Sequence, residues 1–153
     1  MKKIPAHFEL CSPEEVPNYP YPEHPLLPRR GTSRSAGYDF YCPYAVSIPP
    51  HQRVFVPTFV KCLDMPEDKV LMIFIRSSLA LKRGLSLANG TGIIDSDYVW
   101  GIGINLVNQS DETQTIEAGE RFAQGIFLDY FVEEGDEPLS STREGGYGST
   151  GKK

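Results

Sequence analysis

Apolar residues along the chain fall in short runs broken by turn residues, and no window sustains a helical period beyond about two turns. Runs rich in β-branched and aromatic residues predict strands: HFEL (7–10), YDFYC (38–42), RVFVPTFVKCL (53–63), KVLMIFI (69–75), IGINLVN (102–108), TQTIEA (113–118) and GIFLDYF (125–131). Turn chemistry separates them at MPED, NQSDE and EEGDEP. Thirteen prolines and fourteen glycines punctuate the pattern too often for long helices. An all-β single domain is therefore expected: a sandwich, a jelly roll or a small barrel. CSPEEVPNYPYPEHPLLPRRGTSRS (11–35) is too proline-rich for a ladder interior and reads as a surface arm. The one helical candidate is RSSLALKRG (76–84), started by Ser77 or Ser78 as cap and stopped by Gly84.

Composition narrows the function classes. At 153 residues the chain can bury one core without metal or disulfide staples. Fifteen Lys and Arg against twenty Asp and Glu, a net charge of −5, leave no excess to neutralise a nucleic-acid backbone, so no direct nucleic-acid binding is expected. Cys11, Cys42 and Cys62 are odd in number and widely spaced, which predicts buried thiols in a reducing cytosol. His7, His24 and His51 lie scattered near prolines and suggest exposed loops, not metal ligands. The basic N-terminus has no apolar run and no later segment approaches a membrane span, so a soluble, cytoplasmic protein is expected.

Three stretches carry candidate chemistry. In RSSLALKRG, two hydroxyls beside the fixed charge of Arg76 suit an anion, although a plain helix cap with a solvated arginine has the same pattern. In NGTGIIDSDY, a hairpin turn falls at Asn89-Gly90 or at Thr91-Gly92, followed by Ile93, Ile94 and the carboxylates Asp95 and Asp97. If the strand continues, those carboxylates share a face, with Tyr98 opposite. Such a pair can hold Mg²⁺ or act as base and partner; on a hairpin it is often only solvated. The terminal GYGSTGKK (146–153) approaches a phosphate-cradling glycine loop, with Lys153 where Ser or Thr belongs, and equally describes a flexible polar tail. With Arg76, Arg121 and Arg143 available to a polyphosphate, the combination points to a nucleotide.

Five ordered segments then resemble the motifs of the trimeric dUTPase family: SAGYDFY, RSSLALKRG, NGTGIIDSDY, ERFAQGIF and REGGYGSTG. The resemblance implies a distorted jelly roll of β-clip type, a homotrimer with exchanged C-terminal tails, and Mg²⁺-assisted hydrolysis of dUTP to dUMP and pyrophosphate. That reaction keeps uracil out of DNA and supplies dUMP. By the same resemblance Asp95 activates the attacking water, and Gln124 binds phosphate and helps place that water. Arg76, Ser77 and Ser78 hold phosphates, and Tyr98 packs under the sugar. Asn89, Gly92, Ile93, Ile94 and Gly103 match the uracil pocket. Asp39 matches a carboxylate that reaches Mg²⁺ through water, although after Gly37-Tyr38 it also suits a turn. Arg143 matches the partner of the terminal phosphate, Tyr147 a ring stacked over uracil, and Gly148, Ser149 and Thr150 the wrap around the phosphates.

The implied organisation is an N-terminal strand and arm over 1–34, a catalytic jelly roll over 35–135 and a flexible glycine-rich tail over 136–153. Val99-Trp100 departs from the family pattern and suggests a repacked subunit contact. Only Glu144 separates Arg143 from its glycines, and Phe59 and Ile75 replace a common glycine and proline. A dCTP deaminase-like enzyme of similar fold and a non-catalytic nucleotide-sensing module are the rival readings.

Overall fold

The computed structural model describes residues 1–143 and 145. Its strands are β1 (His7–Leu10), β2 (Arg29–Arg30), β3 (Tyr38–Tyr41), β4 (Val46–Ile48), β5 (Arg53–Pro57), β6 (Val60–Leu63), β7 (Lys69–Ile75), β8 (Leu85–Leu87), β9 (Gly92–Ile94), β10 (Gly103–Asn108), β11 (Gln114–Ile116) and β12 (Arg121–Asp129). One short helix, α1 (Ser77–Arg83), and a 3-10 turn at Pro13–Glu15 complete the described elements. The strands pair antiparallel in four sheets: β2-β3-β12-β7-β9, β5-β10-β8, β1-β6 and β4-β11. They enclose one core in which Phe40, Ile48, Leu71, Leu106, Ile116 and Phe122 are fully buried. This is the expected all-β fold, a distorted jelly roll.

The longest ladder joins β7 to β12 from Lys69↔Asp129 to Ile75↔Ala123, and it carries site residues at one end. Gly125 sits mid-ladder because an added Cβ would meet Leu71 Cδ1 at 2.9 Å and Phe40 Cε2 at 3.1 Å. From β1, Phe8 reaches into the aromatic cluster of Tyr38, Phe40 and Phe127 with ring centroids 5.4–5.8 Å away.

Three sequence expectations need correction. RVFVPTFVKCL is two strands, because Phe59 adopts a left-handed φ of 58° and turns the chain from one sheet into another. Thr58 fixes the corner: its hydroxyl donates to Ile102 O at 2.7 Å and accepts from Val60 N at 3.1 Å. The Asn89-Gly90 turn forms, with φ 73° at Gly90, but its flanking strands do not pair with each other. Instead β8 pairs with β10 and β9 with β7, so the turn carries the chain between sheets. Helix α1 has no serine cap: Arg76 occupies that position without a side-chain bond, while Ser77 and Ser78 lie inside the first turn. Its C-terminus does end at Gly84, left-handed at φ 64°, whose N–H donates to Ala80 O at 3.2 Å.

Phe59 is 1% exposed and packs edge-on against Tyr21 at 5.5 Å, so a glycine there would relax the backbone and empty the core. Strain relief is worth about 1–2 kcal/mol and loss of a buried phenyl about 3–5 kcal/mol. Phe59→Gly is therefore expected to lower stability by about 2 kcal/mol, read from urea unfolding at fixed protein concentration.

Candidate active site

A pocket of about 340 Å³ opens between β9 and the β8–β10 pair, lined by Phe55, Ile73, Leu87, Asn89, Gly92, Ile94, Gly103, Ile104 and Asn105. Its walls are mostly apolar, with two amides among them, which suits a flat heterocycle with a few hydrogen-bonding edges. Strand β9 ends its sheet, so one row of its backbone groups lies outside the ladder, ready to read such edges. Gly92 brings the backbone close: a Cβ there would meet Ile73 Cβ at 3.0 Å. Asn89 is held across the turn, donating to Thr91 O at 3.1 Å. Of the expected base-site residues, Asn89, Gly92, Ile94 and Gly103 line this pocket, whereas the Ile93 side chain is 55% exposed.

Immediately after β9 come the two carboxylates. The strand stops at Ile94 and Asp95 O accepts from Tyr98 N at 3.1 Å, so Asp95–Tyr98 is a turn and not a continued strand. The alternation argument for a shared face therefore fails, yet the turn still brings both acids together. Arg143 bridges them, donating through Nε to Asp97 Oδ1 at 2.8 Å and through its other arm to Asp95 Oδ2. The bond to Asp97, aided by both negative charges and outweighing the cost of burial, holds the guanidinium above its usual range. Its Cζ lies 6.0 Å from the Tyr98 ring centroid. Tyr98 is 7% exposed, its hydroxyl donating to Gly101 O at 2.8 Å.

A second group forms where β3, β7 and β12 run side by side. Asp39, on β3, accepts from Arg76 Nε at 3.0 Å through one oxygen and from Arg121 at 3.3 Å through the other. Arg76 also donates to Arg121 O at 3.4 Å. Gln124 faces Asp39 across the β3–β12 ladder and donates to Ile75 O at 3.4 Å. Ser77 and Ser78 are exposed beside Arg76. Two guanidinium groups, two hydroxyls and an amide make an anion-receiving surface in which one carboxylate fixes the cations.

Gly37 leaves room for the amide: a Cβ there would stand 2.6 Å from Gln124 Oε1. Gly37→Ala is expected to displace Gln124 and weaken binding of inorganic tripolyphosphate about ten- to a hundredfold, measured by calorimetric titration. Thermal unfolding of the same variant checks that the fold persists.

The two groups stand well apart within one chain. Register Ile94↔Leu71 ends β9 opposite Leu71, at the far end of β7 from Arg76, so Asp95 in the turn that follows lies on the order of 20 Å from Arg76 at strand rise. One polypeptide does not bring the carboxylates and the phosphate-type surface onto a common atom.

Tyr147, Gly148, Ser149 and Thr150 lie outside the described residues. Sequence reading missed Phe55, Ile73, Leu87, Ile104 and Asn105 in the pocket. Asn105 was within reach, because it shares a strand face with Gly103; Phe55 arrives from β5 by pairing alone. The three cysteines are buried free thiols, and burial pushes them up to about 11 for Cys11 and Cys62 and about 12 for Cys42. No described helix is long and apolar enough to cross a membrane.

Comparison with known proteins converges on one family. The dUTPase family model matches residues 24–151. The deoxyuridine 5'-triphosphate nucleotidohydrolase of Lactococcus lactis is 39% identical over 82% of this chain and 87% of its own length. The mitochondrial human enzyme of that name is 37% identical over 85% of this chain and 52% of its own length. The crystal structure of dUTPase from Streptococcus mutans superposes with a TM-score of 0.73 at 37% identity, covering 84% of this chain and 98% of that one. A dUTPase from phage phi11 of S. aureus, described with a structural Mg(II) ion, shares the fold at 22% identity and a TM-score of 0.71. With a family model spanning most of the sequence, and the Lactococcus lactis relative and the Streptococcus mutans structure matched over most of their own lengths, the chain belongs to the dUTPase family.

Proposed function

We propose that the chain hydrolyses dUTP to dUMP and pyrophosphate in a site shared between copies of a homotrimer. The observation that carries this reading is a base-sized pocket whose edge strand, β9, runs directly into the Asp95–Asp97 turn. Uracil fits between β9 and β10, where backbone groups of Gly92–Ile94 and the amide of Asn89 meet O4 and N3–H. A narrow pocket beside β9 would leave no space for thymine's methyl group, and the donor pattern mismatches cytosine. Tyr98 lies under the deoxyribose, leaving a 2′-hydroxyl no room.

Asp95 accepts the proton of a water directed in line at the α-phosphorus, a role suited to a carboxylate ionised at neutral pH. Arg76, Ser77, Ser78 and Gln124 bind the phosphates, with Gln124 also orienting the water. The separation of roughly 20 Å within one chain supports a composite site, pocket and base from one copy and phosphate surface from another. The tail completes it, with Arg143 on the terminal phosphate, Tyr147 over the base, and Gly148, Ser149 and Thr150 around the phosphates. A division into an arm (1–34), a catalytic jelly roll (35–135) and a closing tail (136–153) fits this scheme.

The donor chemistry fits Mg²⁺, which keeps several waters and binds substrate phosphates with one or two carboxylates. The described residues hold no cluster of three or more His, Cys, Asp or Glu side chains that would make a protein cage. Asp39 would reach the ion through water once substrate phosphates draw Arg76 and Arg121 from its two oxygens, and the ion would neutralise charge developing on the phosphates. Three buried free thiols support a reducing, cytoplasmic location. Pyrophosphate release measured with dUTP, dCTP, dTTP and UTP, with and without Mg²⁺, tests the proposal: turnover is expected with dUTP and Mg²⁺. Ammonia release from dCTP, or binding without turnover, would overturn it.

A further inference from the structure

The segment ahead of the family-matched residues 24–151 is tied to the turn that holds Tyr98. Its 3-10 turn at Pro13–Glu15 is closed by Ser12 N donating to Glu15 Oε2 at 2.7 Å, and Lys61 Nζ pins Glu15 Oε1 at 2.7 Å. Cys11 N donates to Phe59 O at 2.8 Å, and Tyr21 Oη donates to Cys11 O at 3.1 Å. The anchored arm faces Tyr98, Trp100 and Gly101 across a largely apolar groove of about 280 Å³, to which it contributes Val16 and Tyr19. At Gly101 the fit is close: a Cβ there would stand 3.2 Å from Cys11 Sγ and 3.7 Å from Val16 Cγ2.

Tyr98 is constrained twice within this turn. Its hydroxyl donates to Gly101 O at 2.8 Å, and its ring meets Trp100 edge to face, with centroids 5.5 Å apart and planes at 69°. The hydrogen bond fixes the far end of the ring, and Trp100 fixes its rotation about that line. We propose that Trp100, in a turn that Cys11 and Val16 of the arm back at Gly101, is a positioning residue for Tyr98 and sets how strictly the enzyme rejects a 2′-hydroxyl. The inference rests on the reading of Tyr98 as the residue beneath the sugar. It gives Trp100 a role within its own chain, alongside the subunit contact that its sequence position suggests.

The test is the ratio of kcat/KM for dUTP to that for UTP in the intact protein. Trp100→Ala is expected to lower that ratio about tenfold or more, mainly by improving UTP, while kcat for dUTP falls no more than about threefold. Trp100→Phe, which restores an aromatic edge, is expected to recover most of the discrimination. Glu15→Ala combined with Val16→Ala loosens the arm far from the phosphates, and is expected to shift the ratio in the same direction by a smaller factor. This double variant keeps the test open should Trp100→Ala fail to fold. A ratio unchanged in both variants, or dUTP and UTP losing activity in equal proportion, would overturn the inference. If the parent hydrolyses dUTP and UTP equally well, the reading of Tyr98 falls and the inference with it; a discriminating parent with indifferent variants defeats the inference alone.

Discussion

Asp95→Asn is expected to lower kcat for dUTP about a thousandfold while leaving nucleotide binding in place. The amide keeps the size and hydrogen-bonding reach of the carboxylate but cannot take a proton from water. The base pocket is lined by other residues, so the substrate still docks. Asp95 also shares Arg143 with Asp97, and the variant leaves the bond to Asp97 at 2.8 Å to hold that arginine. Pyrophosphate release and calorimetric binding of a non-hydrolysable dUTP analogue, measured together, check the two halves. Turnover at the parent rate would remove Asp95 as the base, and lost binding would make it a substrate contact.

Deleting the chain from Arg143 onward is expected to cut kcat/KM for dUTP about a hundredfold and leave the folded assembly unchanged. Arg143 lies against the two carboxylates beside the base pocket, with only 18% of its side chain exposed. In the proposed role a terminal phosphate would offer that guanidinium a bidentate partner. Arg143→Ala separates the charge from the rest of the tail: it should lose part of the effect, and the deletion all of it. Sedimentation of the shortened chain reports on assembly, and kinetics equal to the parent's would leave the tail without a role in turnover.

Much of the fold was legible in local pattern. The runs at 7–10, 69–75 and 102–108 became β1, β7 and β10, with β10 spanning Gly103–Asn108, because alternation and β-branched content report directly on a half-buried pleated surface. Strands β2, β4, β8 and β9 have only two or three residues, too few to show a period, and they exist because a neighbour supplies the ladder. Phe59 misled for a related reason: its size and apolarity suit a strand interior, while its left-handed backbone is held by Thr58 and the surrounding core.

For the site, the sequence by itself determined the residue types and their order: a serine pair after Arg76, a glycine-bearing strand leading into two aspartates, and a glycine-rich end. Those choices are local, since a turn, a close backbone approach or a proton acceptor depends on the residue that stands there. Only the tertiary structure decided which of them meet. It put Gly92 and Gly103 on opposite walls of one pocket, gave Asp39 to two arginines and set the arm against Gly101. It also set the carboxylates roughly 20 Å from the phosphate-type surface along β7. Such placements depend on sheet register and on contacts between residues far apart in the chain, which no local pattern encodes.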